Sequence, residues 1–255
     1  MAVIFVIANR SREGFVTPFH PPAPVILAMK VILFGATGMV GQGVLRECLL
    51  AHDVDEIVTI GRTPLDASHL KLRSIVLPDL FDYRDIQAHL TGYDACFFCL
   101  GVSAAGLDEM AYTHLTYDLT LSAAQTLAAG NPGMTFIYVS GAGTDSTERG
   151  RSMWARVKGR TENALLRLPF KAVYLFRPGI IQPMHGARSK TGLYQTFYTI
   201  MRPFFPLMRA VAPRMLTTER VGRAMLAAVR GGAPQAVLEA NDIYMLSELG
   251  TSEGK

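Results

Sequence analysis

The sequence predicts an α/β fold, a doubly wound parallel sheet in a single domain with a C-terminal helical segment on the substrate side. Two observations carry it. Short, continuously apolar runs alternate with amphipathic stretches of helical spacing, which is the pattern of strands buried on both faces. A glycine-rich turn, "GATGMVG" at 35–41, stands directly between the first strand and the first helix.

The elements follow in order. After Met29, "KVILF" reads as a strand, and Val40, Val44, Leu45, Cys48 and Leu49 then recur at helical spacing. "EIVTIG" and "LRSIVL" are the second and third strands, with "DYRDIQAHL" expected as a helix after the third. "YDACFFCLG" is the fourth strand, and a helix is expected from about Leu107 to Ala129. "MTFIYVS", the helix in "RSMWARVKGRTENALLRL" and the strand "KAVYLFRPG" complete the alternation. Beyond Pro178 the pattern breaks. "TTERVGRAMLAAVRGG" reads as a helix capped by Thr217 or Thr218, with Gly231 beyond its end. "AVLEA" is expected as a last short strand, and "NDIYMLSEL" as a last helix capped by Asn241.

Composition limits what the chain does. Among 255 residues, 25 Lys and Arg face 21 Asp and Glu, and the net charge of +4 is spread without a basic run, which argues against nucleic acid as a partner. Three cysteines make no disulfide framework and suit a reducing compartment, so a cytoplasmic location is expected. Cys96 and Cys99 form C-x-x-C, but inside a strand they should point to opposite faces. No metal set is expected. Residues 1–28 are apolar at first and then proline-rich; they are expected to be an extension outside the fold, too short in their apolar part to span a bilayer. Residues 29–255 form the domain, with 184–216 as a substrate-side lid. The aromatic stretch 193–211 is expected to wall the substrate side, with a membrane-surface contact as the other reading because Arg202 and Arg209 interrupt it.

The turn at 35–41 has a physical role. Gly35 permits a tight turn, Gly38 lets the backbone approach a pyrophosphate, and Gly41 lets the helix pack close to the strand. Thr37, Met39 and Val40 fill the turn, and the helix N-terminus offers N–H groups to phosphate. The turn therefore predicts a nicotinamide dinucleotide. The second strand ends in Gly61-Arg62, where an NAD-selective site usually places a carboxylate for the ribose. A guanidinium there pairs with a 2′-phosphate, so NADP is expected over NAD; the alternative is that Arg62 stacks on adenine or faces solvent. Topology puts Asp79 and Leu80 near the adenine, and Leu100, Gly101 and Val102 beside the cofactor.

The glycine turn, Ser140 in "YVSGAG", Lys158 in the next helix and "FRPG" after the sixth strand together resemble the short-chain dehydrogenase/reductase superfamily. The resemblance is closest to its atypical, Rossmann-type branch related to the epimerases and NmrA-like proteins, and covers roughly residues 30–183. It implies that Ser140 hydrogen-bonds a substrate oxygen, that Lys158 holds the nicotinamide ribose, and that Pro178 and Ile180 line the nicotinamide. The superfamily's catalytic tyrosine falls on Trp154, and the chain contains no Tyr-x-x-x-Lys. An indole N–H donates but does not titrate near neutrality, so Trp154 is no general acid. Tyr112, Tyr117, His185 and water are the candidate proton sources. The basic side chains Arg149, Arg151, Arg156, Lys158 and Arg160 are expected mainly as a solvated face, with one or two available to an acidic or phosphorylated substrate.

The expected function is that of an NADP-dependent oxidoreductase or epimerase-like enzyme with a non-standard catalytic set, acting on an unidentified small molecule. The resemblance to NmrA-like proteins implies the alternative, a regulator that binds dinucleotide without turnover. Helices flanking the sheet are suited to a homodimer.

Overall fold

The computed structural model describes residues 28–187 and 214–252. The expected N-terminal extension and most of the expected lid, with the aromatic stretch 193–211, lie outside the described residues.

Seven strands form one sheet: β1 (Met29–Phe34), β2 (Val54–Gly61), β3 (Leu72–Val76), β4 (Ala95–Phe98), β5 (Thr135–Val139), β6 (Ala172–Arg177) and, last in the chain, β9 (Val237–Glu239). Their order is β3-β2-β1-β4-β5-β6-β9, and every neighbouring pair is parallel. The chain runs outward from β1 to β3 and then returns to place β4 beside β1. That reversal opens a crevice at the carboxyl ends of β1 and β4, where such sheets bind ligands.

Alternating side chains build two cores. Val31 and Leu33 face one layer, which holds α1 (Met39–Leu50), α5 (Thr218–Gly231) and α6 (Ala240–Ser252). Ile32 and Phe34 face the other, with Tyr83, Leu90 and helix α3 (Leu119–Gly130). Cys96 lies in the second core and Cys99 packs on the first, so the C-x-x-C thiols point apart as the strand period requires. Burial pushes both thiols up, out of the reactive range.

Three elements differ from expectation. Residues 82–90 form only a 3-10 turn at Gln87–Leu90. The Asp79 and Asp82 side chains accept from the Phe81 and Arg84 N–H groups at 2.9 and 3.1 Å, and such local bonds compete with a helix. The expected helix 107–129 is a composite of α2 (Glu109–Thr113), a π-helical turn (His114–Asp118) and α3. The last helix begins at Ala240. Asn241 does not cap it; its side chain accepts from Arg214 Nη1 at 2.8 Å, while Asp242 takes the Glu239 N–H at 3.0 Å. Thr217 caps α5 by accepting from Arg220 N at 3.1 Å, and Gly232, not Gly231, supplies the positive φ (77°) that ends it.

Beyond β6, β7 (Ile181–Gln182) pairs in parallel with β8 (Leu216–Thr217), which sets Gln182 beside Thr217. Among the described residues no helix is long and apolar enough to cross a membrane, and no cluster of His, Cys, Asp and Glu is arranged to hold a metal.

Candidate active site at the carboxyl ends of the central strands

The glycine turn sits in the crevice. Gly35 has φ 78°, and a Cβ there would lie 2.8 Å from the Cys99 carbonyl carbon, so the turn presses on the backbone leaving β4. A Cβ on Gly41 would stand 2.0 Å from Gly35 O, which is why helix α1 can begin so close to β1. Gly38 is the N-cap of α1; no side chain caps the helix and no acidic residue stands in its first turn. The arrangement leaves a helix N-terminus for an anion, with no carboxylate of its own to compete. Met39 and Val40 spend their side chains on the core beneath, and Gln42 Nε2 bonds Thr37 O at 3.0 Å, bracing the turn.

The flanking residues are distributed unevenly. Arg62 is exposed at the end of β2 and has no carboxylate partner among the described residues. Asp79 is exposed and accepts from Phe81 N, whereas the Leu80 side chain is buried in the core. Leu100 packs partly on the second core, and Gly101 is exposed. Pro178 is buried and its carbonyl accepts from Ala142 N at 3.0 Å; Ile180 is 50% exposed.

Ser140 follows β5 directly, its N–H fixed on Phe176 O at 2.8 Å. The next residues fold tightly. Thr144 Oγ1 lies 2.8 Å from Ser140 Oγ and 2.8 Å from Gly141 O. A threonine hydroxyl has one proton for those two oxygens. With that proton on Gly141 O, the Ser140 hydroxyl donates to Thr144 Oγ1. Lys158, on α4 (Met153–Leu165), donates from Nζ to Ser140 O at 3.2 Å and sits 5.3 Å above the Tyr138 ring centroid. Burial lowers its pKa to about 8, with Glu162 one turn on pulling the other way. Trp154, one turn before Lys158, is half-buried, and its indole reaches over Gly143, where a Cβ would lie 3.6 Å from Cη2. The structure thus brings Ser140, Trp154 and Lys158 together around one loop.

That loop is seated by residues the sequence reading missed. A Cβ on Gly159 would stand 1.8 Å from Asp145 O, so the loop crosses α4 where glycine follows the lysine. Asp145 gathers Thr147 Oγ1 and the Gly150 N–H, both at 2.6 Å, and these bonds hold its carboxyl down to about 2. Beneath, the buried Glu162 pairs with Arg177, whose Nη2 also donates to Ser146 Oγ at 2.6 Å. The signals were present: a Ser and Thr four apart around glycines, a glycine beside the lysine, and the Arg of "FRPG".

The three candidate side chains for the proton are otherwise placed. Tyr112 is only 2% exposed, Tyr117 lies under the Arg160 guanidinium at 4.4 Å, and His185 Nε2 is 3.1 Å from Glu219 Oε2. Of the basic cluster, Arg156 is held by Glu109 at 2.6 Å and by the Gly150 and Arg151 carbonyls.

Parallel sheet, switch-point turn and Ser–Lys pair define a Rossmann-type protein of the short-chain dehydrogenase/reductase class. The fold is similar to that of the Bordetella bronchiseptica enzyme WbmF, solved with NAD+ (TM-score 0.59, 15% identity, 90% of this chain and 81% of that one). It is also similar to a short-chain dehydrogenase/reductase from Saccharomyces cerevisiae (TM-score 0.57, 13% identity, 84% and 96%). No protein-family profile matches the chain. In sequence it is 33% identical over 168 residues to leucinostatins biosynthesis cluster protein T of Purpureocillium lilacinum, covering 63% of this chain and 61% of that one. It is 30% identical over 168 residues to protein FMP52-2, mitochondrial, of Scheffersomyces stipitis, covering 64% and 70%. The chain belongs to the family of the FMP52 proteins, within the atypical short-chain dehydrogenase/reductases.

The expected cytoplasmic location is overturned by these relatives: five of them carry names that place them in mitochondria. Sparse cysteines speak of redox conditions and do not separate one reducing compartment from another.

Proposed function

We propose that the chain binds a nicotinamide dinucleotide, NADP in preference to NAD, and serves as an oxidoreductase for a small molecule held at Ser140. The observation that carries the reading is the uncapped N-terminus of α1 behind a turn too tight for any side chain at Gly35 or Gly41. The residues fit the group: Gly38 and the first turn of α1 would hold the pyrophosphate, Arg62 the 2′-phosphate, and Lys158 the nicotinamide ribose. When bound, the dinucleotide would supply a hydride. Ser140 orients the substrate oxygen, Thr144 holds the Ser140 hydroxyl in place, and Lys158 contributes positive charge at the Ser140 carbonyl. The mitochondrial names of its relatives support a mitochondrial location for this chain as well.

A second reading has its own observation. Trp154 removes the titratable proton from the usual place, and this favours a protein that binds NADP(H) and signals its presence without turnover. Trp154 is the sole tryptophan, so its quenching should report binding. Arg62→Ala should weaken NADP about 10- to 100-fold and leave NAD nearly unchanged, since a charge-assisted bond contributes about 1.5–3 kcal/mol. Equal weakening of both cofactors would remove Arg62 from the 2′-phosphate. Oxidation of NADPH by a panel of carbonyl compounds separates the enzyme from the regulator.

A further inference from the structure

The backbone of Ser140 is engaged at both ends. Its N–H is on Phe176 O, and its carbonyl takes Lys158 Nζ at 3.2 Å. Its hydroxyl stands in a row of three oxygens, Ser140 Oγ, Thr144 Oγ1 and Gly141 O, each 2.8 Å from the next. Two protons serve that row, one from each hydroxyl, because a carbonyl oxygen only accepts. Directed toward the carbonyl, both protons make a bond: Ser140 donates to Thr144, and Thr144 donates to Gly141. Directed the other way, Thr144 donates to Ser140, and Thr144 Oγ1 then faces Gly141 O with no proton between them. The first arrangement has one hydrogen bond more, at a threonine only 7% exposed, where an unmade bond is costly.

The loop fixes the row in place. Ala142 N donates to Pro178 O at 3.0 Å, Thr144 N to Gly141 O at 3.2 Å, and Asp145 N to Ala155 O on α4 at 3.1 Å. Thr144 is buried, whereas Ser140 is half-buried, so a ligand meets the row at its serine end. What it meets there is an oxygen whose proton is already given away. Ser140 Oγ offers lone pairs, and it accepts.

We propose that the group held at Ser140 is a hydroxyl that donates to it, so that the substrates are alcohols, and that Thr144 is the positioning residue that imposes this choice. The proposal rests on the dinucleotide reading above, with the reaction entered from the alcohol side. The carbinol C–H bond breaks and its hydride passes to the oxidised dinucleotide, while the O–H proton leaves to water as the C=O bond forms. Ser140 accepts a hydrogen bond from the alcohol but not its proton, since the row behind it ends on a carbonyl that cannot pass a proton on. A ketone or aldehyde oxygen has no proton to give. It binds at Ser140 only if both hydroxyls turn round, at the loss of one hydrogen bond, which is roughly two- to tenfold in affinity.

Neutron diffraction from crystals of the deuterated protein reads the row without any ligand. Deuterium should lie on Thr144 Oγ1 toward Gly141 O and on Ser140 Oγ toward Thr144. A Ser140 deuteron turned away from Thr144 would overturn the proposal and leave the dinucleotide reading standing. Trp154 fluorescence titrated with NADP+ tests that reading separately; no binding sinks it and the proposal with it. With NADP+ bound, 2-phenyl-2-propanol and acetophenone are titrated by calorimetry. Neither can react there, since the first has no carbinol hydrogen and the second meets no hydride donor. The alcohol should bind roughly two- to tenfold tighter than the ketone. Thr144→Val, which releases the serine proton, should abolish the preference, and Thr144→Ser should keep it; a merely structural role would weaken both ligands alike. Ser140→Ala, which removes the acceptor, should abolish the preference as well, and it serves where Thr144→Val does not fold. Equal affinities in the parent protein, a tighter ketone, binding of neither compound, or a preference that survives Thr144→Val or Ser140→Ala would each overturn the proposal.

Discussion

Gly159→Ala is a sharp test of how the site is seated. The added methyl would lie 1.8 Å from Asp145 O, 2.5 Å from its carbonyl carbon and 3.1 Å from Ser146 N. All three are backbone atoms, so no side chain can swing aside. Overpacking of this kind costs about 1–3 kcal/mol, and the closeness here places it at the upper end. Against this, alanine improves a helix interior by roughly 1 kcal/mol over glycine. The net expectation is a loss of about 2 kcal/mol, or roughly 4–8 °C in Tm for a chain of this size. Urea unfolding followed by Trp154 fluorescence measures it, and the emission of the folded state should also shift, because the indole rests on Gly143 in the displaced loop. Gly133→Ala, with nothing within 4 Å of its added Cβ, is the control and should be near neutral. A Gly159→Ala protein as stable as the parent, or more so, would refute the claim that the loop is pressed onto α4.

Other outcomes follow from the same geometry. Arg177→Met should cost about 3–5 kcal/mol in chemical denaturation, because it strands the Glu162 carboxylate, 1% exposed, without its partner; replacing both Arg177 and Glu162 by apolar residues should recover much of that loss. Lys158 is cationic below its lowered pKa of about 8 and neutral above it, so NADPH affinity should be fully developed below pH 7 and decline as pH rises through 8. A flat profile from pH 6.5 to 9.5 by fluorescence titration would take Lys158 out of cofactor binding.

The sheet was legible because its strands are continuous apolar runs and its first turn is punctuated by glycines with a fixed spacing. The last strand was legible too, though only Val237–Glu239 pair. Residues 82–90 were misread because only Tyr83 and Leu90 enter the core, from a mostly exposed irregular segment whose turns are built by aspartate side chains; the helical spacing there was coincidental. The π-helical turn at His114–Asp118 leaves no mark in apolar periodicity. At the site, Ser140, Trp154 and Lys158 were found by spacing along the chain. The Thr144 hydroxyl, Gly159 and the Glu162–Arg177 pair depend on contacts across elements, which spacing does not encode. Location failed for a different reason: it is decided by transport, on which the folded core is silent.

The parallel pairing of β7 with β8 bears on how such a protein can change its taste. Gln182 and Thr217 are neighbours, so the described chain on either side of residues 188–213 is fastened to itself. Those two points are fastened close to α1, where a Cβ on Gly43 would lie 2.5 Å from the Thr218 side chain. Exchanging residues 188–213 for the corresponding stretch of a relative, with Gln182 and Thr217 kept, is the graft that tests the expectation that this stretch governs selectivity.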